Sequence, residues 1–433
     1  MGSRGFSIPG HGPGSAPGKR SKLPSVVEPS PHSEPGEDRA ALGVIFLTVF
    51  LDLVGFGMIL PLLPFYATHY GATPFLVGVL FASFSLAQAV AAPLLGRLSD
   101  RLGRRPVLLS SILVNGISYL LFAAAPTLWV LLAARILSGL ASANYAVAQA
   151  YIADVTPTSR RARGMGWAGA AFGLGFVVGP AIGGFLSLLG EVAVPLGAAV
   201  LSLANLALAS ILLPESAVIL GSESASPWLP RATGTATGIR WTVAGLYLLL
   251  FLVIFCFSGM EATLALFCEA RFAFGVAETS WLFVFVGITM VVIQGGLVGP
   301  LARRFGEHRL VITGIVVMSA GLFLLPLTTW VPTLVATTGV LAAGSGIHNP
   351  SLLSLVSQLA DDGAQGSALG LSRSMGALAR SVGPLWGGWA FQRLGPDWPY
   401  WSAGALLLLT LGLALPLLRS ISRGPNPLTR RPC

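Results

Sequence analysis

The stretch Gly96-Arg97-Leu98-Ser99-Asp100-Arg101-Leu102-Gly103-Arg104-Arg105 sets five charged side chains in ten positions, within a chain of which only 10% is charged. Soluble domains carry about 25%. Long apolar runs hem this knot in, 75–97 before it and 106–125 after it. Its glycines permit a tight reversal between them. The pattern returns 203 positions later as Gly299-Pro300-Leu301-Ala302-Arg303-Arg304-Phe305-Gly306. Two further landmarks keep nearly the same spacing: Gly179-Pro180-x-x-Gly183-Gly184 reappears as Gly383-Pro384-x-x-Gly387-Gly388, and Gly139 with Asn144 as Gly344 with Asn349. Three separate landmarks in one register mean two homologous halves in tandem.

Outward from the knot, apolar runs of about 20 residues recur, each long enough to cross a bilayer as a helix. Twelve are read at 41–66, 75–97, 106–125, 128–153, 164–188, 192–213, 241–268, 277–301, 309–327, 331–358, 366–390 and 398–418. Mean hydropathy is +0.77. Barrel strands would alternate and be about 10 residues long, so the expectation is an all-α integral membrane protein. Its twelve transmembrane helices form two homologous six-helix bundles, 41–213 and 241–418. The Ser/Gly/Thr/Pro-rich segment 214–240 joins them as a central cytoplasmic loop, and 419–433 is a cytoplasmic tail. Residues 1–40, dominated by Gly, Pro and Ser, read as a disordered cytoplasmic tail and not as a signal peptide, which needs an apolar core before its cleavage site.

The chain has 26 Lys+Arg against 17 Asp+Glu, a net charge of +9. Such a balance raises nucleic-acid binding, yet the positions of the charges argue otherwise. With both termini cytoplasmic, 21 of the 26 basic residues fall in the two tails or in cytoplasmic loops. The outer loops hold Arg271 and Arg393, and Arg135, Arg373 and Arg380 lie within spans. This asymmetry is the positive-inside pattern of a membrane protein. It removes the nucleic-acid reading and leaves the lipid bilayer as the partner.

Charges inside a bilayer cost about 2.5–3.5 kcal/mol each on insertion scales and mark pathways. Asp52 in the first span and Glu261 in the seventh are the proton-coupling candidates, with Arg135 and Arg380 as their counter-charges. Burial disfavours a charged carboxyl and a neighbouring guanidinium favours it, so protonation can switch with solvent access; static Asp52–Arg135 and Glu261–Arg380 pairs are the structural alternative. Arg135, Ser138, Ser142, Tyr145 and Gln149 are spaced 3-4-3-4, one polar stripe on an apolar helix. The stripe should line a central cavity, joined by Gln88, Gln294, His348 and Asn349 as substrate contacts. Arg373 and Arg380, seven residues apart, share a face of the eleventh span. His348-Asn349-Pro350 should break the tenth. Gly175, Gly179 and Gly183 form a smooth helix face for close packing, with Pro180 and Gly184 beside it.

These motifs resemble the major facilitator superfamily. Gly96, Asp100, Gly103 and Arg104 match its signature loop, a conformational latch in which the Asp faces the start of helix eleven and the Arg engages an acid at the end of helix four, here Asp154. Gly175 through Gly184 looks like the antiporter motif of helix five. Asp52-Leu-Val-Gly-Phe-Gly-Met-Ile-Leu-Pro61-Leu-Leu-Pro64, Ala146 through Asp154 and Leu213-Pro214-Glu215-Ser216 resemble the tetracycline exporters. Ser258 through Thr263 and Gly376 through Pro384 resemble the related tetracycline-transporter-like proteins. The sequence departs from the exporters at 310–326, which holds no acid, and at Arg303, which stands where the first loop has Asp100, so the second latch is expected to be degenerate.

The expected function is secondary transport, a proton-coupled export of amphipathic small molecules. Import by proton symport is the alternative, and a non-transporting receptor a more distant one. The expected partners are a small-molecule substrate and protons, and the expected state is a monomer in a plasma or bacterial inner membrane. No phosphate-binding loop, cofactor motif or Cys/His metal cluster is read. Nothing in the sequence points to an enzyme.

Overall fold

The computed structural model describes residues 37–156, 161–215, 237–359 and 365–423. Most of the two tails and of the central loop lies outside them. The first half comprises α1 (Glu37–His69), α2 (Pro74–Leu102), α3 (Arg104–Ala123), α4 (Leu128–Ser142), α5 (Asn144–Val155), α6 (Arg161–Ser187) and α7 (Ala193–Leu212). The second comprises α8 (Thr237–Phe272), α9 (Val276–Val292), α10 (Val298–Phe305), α11 (Glu307–Leu324), α12 (Val331–Leu359), α13 (Gln365–Leu394) and α14 (Trp398–Arg423). The fourth span is α4 and α5, parted at Ala143. The eighth is α9 and α10, joined by a π-helical turn at Ile293–Leu297. Among the described residues twelve rods result, six in each half.

Local chemistry sets where the rods begin. Pro74 opens α2 behind Thr73, whose hydroxyl accepts from the Leu76 N–H at 3.4 Å, as an N-cap does. Gly103 turns α2 into α3 with φ +98°, and Gly306 turns α10 into α11 with φ +81°. That left-handed region is open mainly to glycine. Ten of the rods are long and apolar enough to cross a membrane. The other two long helices, α12 and α13, carry His348, Asn349, Arg373 and Arg380. Apolar side chains also cover the outside, where Ile211 and Trp129 are 80% and 78% exposed, a surface suited to lipid rather than water.

Helix twelve departs from expectation. It runs unbroken through Pro350, and side chains bond carbonyls close to the one that the missing N–H frees. His348 Nδ1 lies 2.9 Å from the Gly344 carbonyl, and Ser351 Oγ donates to the Ile347 carbonyl at 2.9 Å.

The halves meet along two seams, α2 with α13 and α6 with α9. At the end away from the 96–105 loop these seams are tight. A Cβ on Gly388 would stand 2.3 Å from the Pro74 carbonyl oxygen, and one on Gly78 2.3 Å from that of Pro384. The Phe75 N–H donates to Gln392 at 3.3 Å across the same seam. The first half's apolar core crosses to α8 there, through Ala262, Ala265 and Leu266. Toward the loop end the halves part around a cavity.

Candidate functional site

The larger cavity, about 830 Å³, lies between the halves and draws on α1, α2, α4, α5, α6, α8 and α13. Its wall extends toward the loop end at Ala92, Pro93, Gly370 and Ser374. A smaller cavity of about 330 Å³ sits among α6, α8, α9, α12 and α13. Phe172, Phe176, Ser258, Glu261, Arg373 and Arg380 line both.

Asp52 opens onto the larger cavity from α1. Its Oδ1 accepts from Asn115 Nδ2 at 2.8 Å and its Oδ2 from Asn144 Nδ2 at 3.4 Å. Asn115 is fully buried on α3 and is itself held by Ser138 Oγ, which donates to Oδ1 at 2.8 Å. Asn115, not singled out by sequence, is therefore the principal partner of Asp52. The available signal was an amide within an apolar span. Ser138 does not line the cavity; it positions Asn115.

Arg135 lines the larger cavity, but it is not paired with Asp52. Its guanidinium lies 4.5 Å from the Phe84 ring centroid, a cation–π arrangement, and its buried Nε has no hydrogen-bond partner. Among the described residues the ion pairs are Arg104–Asp100, Arg104–Asp154 and Arg271–Asp397. The static pairs Asp52–Arg135 and Glu261–Arg380 are thus not formed, although Glu261 and Arg380 share the region where the cavities join.

Gln88, Ser142 and Tyr145 line the larger cavity, and Gln88 Nε2 donates to the Ser142 carbonyl at 3.2 Å. Gln294, His348 and Asn349 line the smaller one. The π turn carries Gln294; such turns often occur at functional sites. Gln149 lines neither cavity, but its amide oxygen accepts from Arg373 Nη1 across the halves. The expected polar stripe is therefore divided: Arg135, Ser142 and Tyr145 face the cavity, while Ser138 and Gln149 hold other residues.

The loop residues assemble as a clasp. Arg104 Nη1 lies 2.5 Å from Asp100 and its Nε 3.0 Å from Asp154 on α5. Glu215, just beyond α7, accepts from the backbone N–H of Arg104 at 2.9 Å and of Arg105 at 3.2 Å. A carboxylate at a helix N-terminus meets unpaired N–H groups and the positive end of the dipole. Gly96 contributes no close packing. The residues before Gln365, where Asp100 was expected to point, lie outside those described. The second loop is not bare: Glu307 accepts from Ser354 Oγ at 2.5 Å and Gln358 Nε2 at 2.7 Å, both on α12. It is a clasp of different chemistry in the matching place.

The α6 glycines pack on α1 beside Asp52. A Cβ on Gly179 would stand 2.6 Å from the Val54 carbonyl oxygen, and one on Gly175 2.6 Å from Leu53 Cβ. Gly183 faces Met58, and Pro180 lies near Gly57. Gly184 faces the other way, toward Ser280 on α9.

Comparison with known proteins agrees with this architecture. The family model of the Major Facilitator Superfamily matches residues 45–297 and 270–432. The class C tetracycline resistance protein of Escherichia coli is 36% identical over 398 residues, covering 88% of this chain and 96% of that protein. The major facilitator superfamily domain-containing protein 10 of Bos taurus is 33% identical, covering 90% and 93%. The crystal structure of the human organic anion transporter MFSD10 (TETRAN) superposes with a TM-score of 0.66 at 29% identity, covering 88% and 100%. From its duplicated helices, its cavity between the halves and these matches, the chain belongs to the major facilitator superfamily and is a multi-pass membrane transporter.

Proposed function

We propose that the chain exports amphipathic small molecules in exchange for protons. The observation that carries this reading is one cavity between two homologous halves, sealed at one end, in which Asp52 and Glu261 are accessible beside Arg135, Arg373 and Arg380. Cavities between repeats near the membrane midplane suit alternating access by rocking of the halves. Asp52 and Glu261 take up protons when the cavity faces one side and release them when it faces the other. Movement of one charge through a membrane potential supplies about 2.3 kcal/mol per 100 mV, enough to drive modest concentration ratios.

The substrate surface is mostly apolar, with Phe56, Phe84, Phe172 and Phe176 on the wall. Such a lining takes an apolar body, and the cavity's three guanidinium groups against two carboxyls favour an acidic head. The similarity to the human organic anion transporter supports the same substrate class. Similarity to the tetracycline resistance proteins supports export. The basic residues orient the loop end toward the cytoplasm, so both termini lie there, in a plasma or bacterial inner membrane, with one chain forming the unit.

Cells expressing the protein should accumulate less of a fluorescent amphipathic carboxylate than cells expressing Asp52→Asn. Equal accumulation contradicts export, and greater accumulation by the wild-type cells indicates a symporter that imports.

A further inference from the structure

Arg373 is the cavity guanidinium whose hydrogen-bond partner is a neutral amide of the other half. It is exposed, and it lines both cavities where they join. Its guanidinium donates to Gln149, a neutral amide on α5 of the other half. None of the three ion pairs among the described residues includes it. Arg380, one face-repeat further along α13, lines both cavities together with Glu261. Arg373 has an amide oxygen in the place a carboxylate would fill.

Hydrogen bonds to an ionised acceptor are roughly twice as strong as those to a neutral one, and arginine binds a carboxylate through two parallel bonds. An acidic head entering the cavity therefore outcompetes Gln149. The apolar body has Phe172 and Phe176 beside it, since both rings line the cavities at the same junction. The displacement also has a mechanical consequence, because the Arg373–Gln149 bond ties α13 of one half to α5 of the other.

Resting on the transport reading above, we propose that Arg373 is the anion-recognition residue of the cavity and that Gln149 is its internal place-holder, released when a carboxylate or sulfonate head binds, so that substrate binding itself unties the two halves.

The test uses the full chain in lipid nanodiscs, with pyrenebutyrate and its uncharged counterpart pyrenebutanol as fluorescent probes at equilibrium. The wild-type protein should bind the carboxylate about tenfold more tightly than the alcohol, a difference of the size expected for one charge-assisted pair. Arg373→Gln should erase that preference, and Arg373→Lys should keep part of it. Gln149→Glu supplies a permanent internal carboxylate and should weaken pyrenebutyrate binding by about tenfold, whereas Gln149→Ala should strengthen it by about threefold. Thermal unfolding of each variant in the nanodisc, close to that of the wild type, reports that it is folded. If the wild-type protein shows no preference, or Arg373→Gln retains it, or Gln149→Glu binds the carboxylate as the wild type does, the proposal is overturned. Equilibrium binding involves no gradient or direction, so failure of proton-coupled export would show in flux measurements and leave this result standing.

Discussion

At the residue scale the account turns on how a carboxyl is kept inside a membrane. Asp52 is held by two amides, Asn115 at 2.8 Å and Asn144 at 3.4 Å, and not by an arginine. Amide donors favour the carboxylate less strongly than a tight ion pair would. On the proposed mechanism, this lets the group take and release a proton while its position stays set. Asn115→Leu, similar in size, removes the shorter of these bonds and strands Ser138. Leaving buried polar groups without partners costs about 1–3 kcal/mol, so thermal unfolding should fall by about that amount, and transport should fall further than in Ser118→Ala. Equal transport in the two variants would show that Asn115 merely packs. The acid itself was legible in the sequence, as an ionisable residue in an apolar run. Its partner was not, because Arg135 shares a helix stripe with the cavity but reaches toward Phe84. Periodicity gives the face of a helix and says nothing of which neighbour a long side chain meets.

At the scale of elements, the α1–α6 contact is what fixes the helix carrying Asp52. Gly179 brings backbone against backbone, so a side chain there meets the Val54 carbonyl and Gly57 Cα, at 2.6 and 2.8 Å from a built Cβ. Gly179→Ala should cost about 1–3 kcal/mol through overpacking and reduce transport. Gly169→Ala, on the same helix with nothing within 4 Å, should be neutral or slightly stabilising, because alanine favours helix over glycine. Thermal unfolding of both variants in detergent makes the comparison; equal shifts would contradict the close-packing role. The Gly-Pro block was readable because glycine at every fourth position has few other uses in a membrane helix. The break at Ala143 and the π turn at Ile293–Leu297 were not. Neither has a proline, and the Gly295-Gly296 pair inside the π turn, with nothing within 4 Å of either, was the one local signal. Pro350 gave the opposite error: a proline signals a kink, yet the helix continues through it.

For the whole molecule, the duplication is the strongest message of the sequence, and it reappears as two clasps, one at each loop. Arg104 ties α3 to Asp154 on α5, and Glu307 ties α11 to Ser354 and Gln358 on α12. Apolar run length sufficed for the rods, and a repeated register for the halves. Which end is sealed could not be read in advance, because the seams are made by residues far apart in the chain, such as Gly184 on Ser280 and Gly78 on Pro384. With the far end closed and the cavity reaching toward the loop end, the molecule has the asymmetry that alternating access requires. The central claim is that this asymmetry is driven by protons through Asp52 and Glu261. The most direct measurement is proton flux into proteoliposomes carrying an imposed pH gradient, with and without an amphipathic carboxylate as substrate. The account predicts flux that rises with substrate in the wild-type protein and is abolished when Asp52→Asn and Glu261→Gln are combined. Substrate-dependent proton flux that persists in that double variant would contradict it.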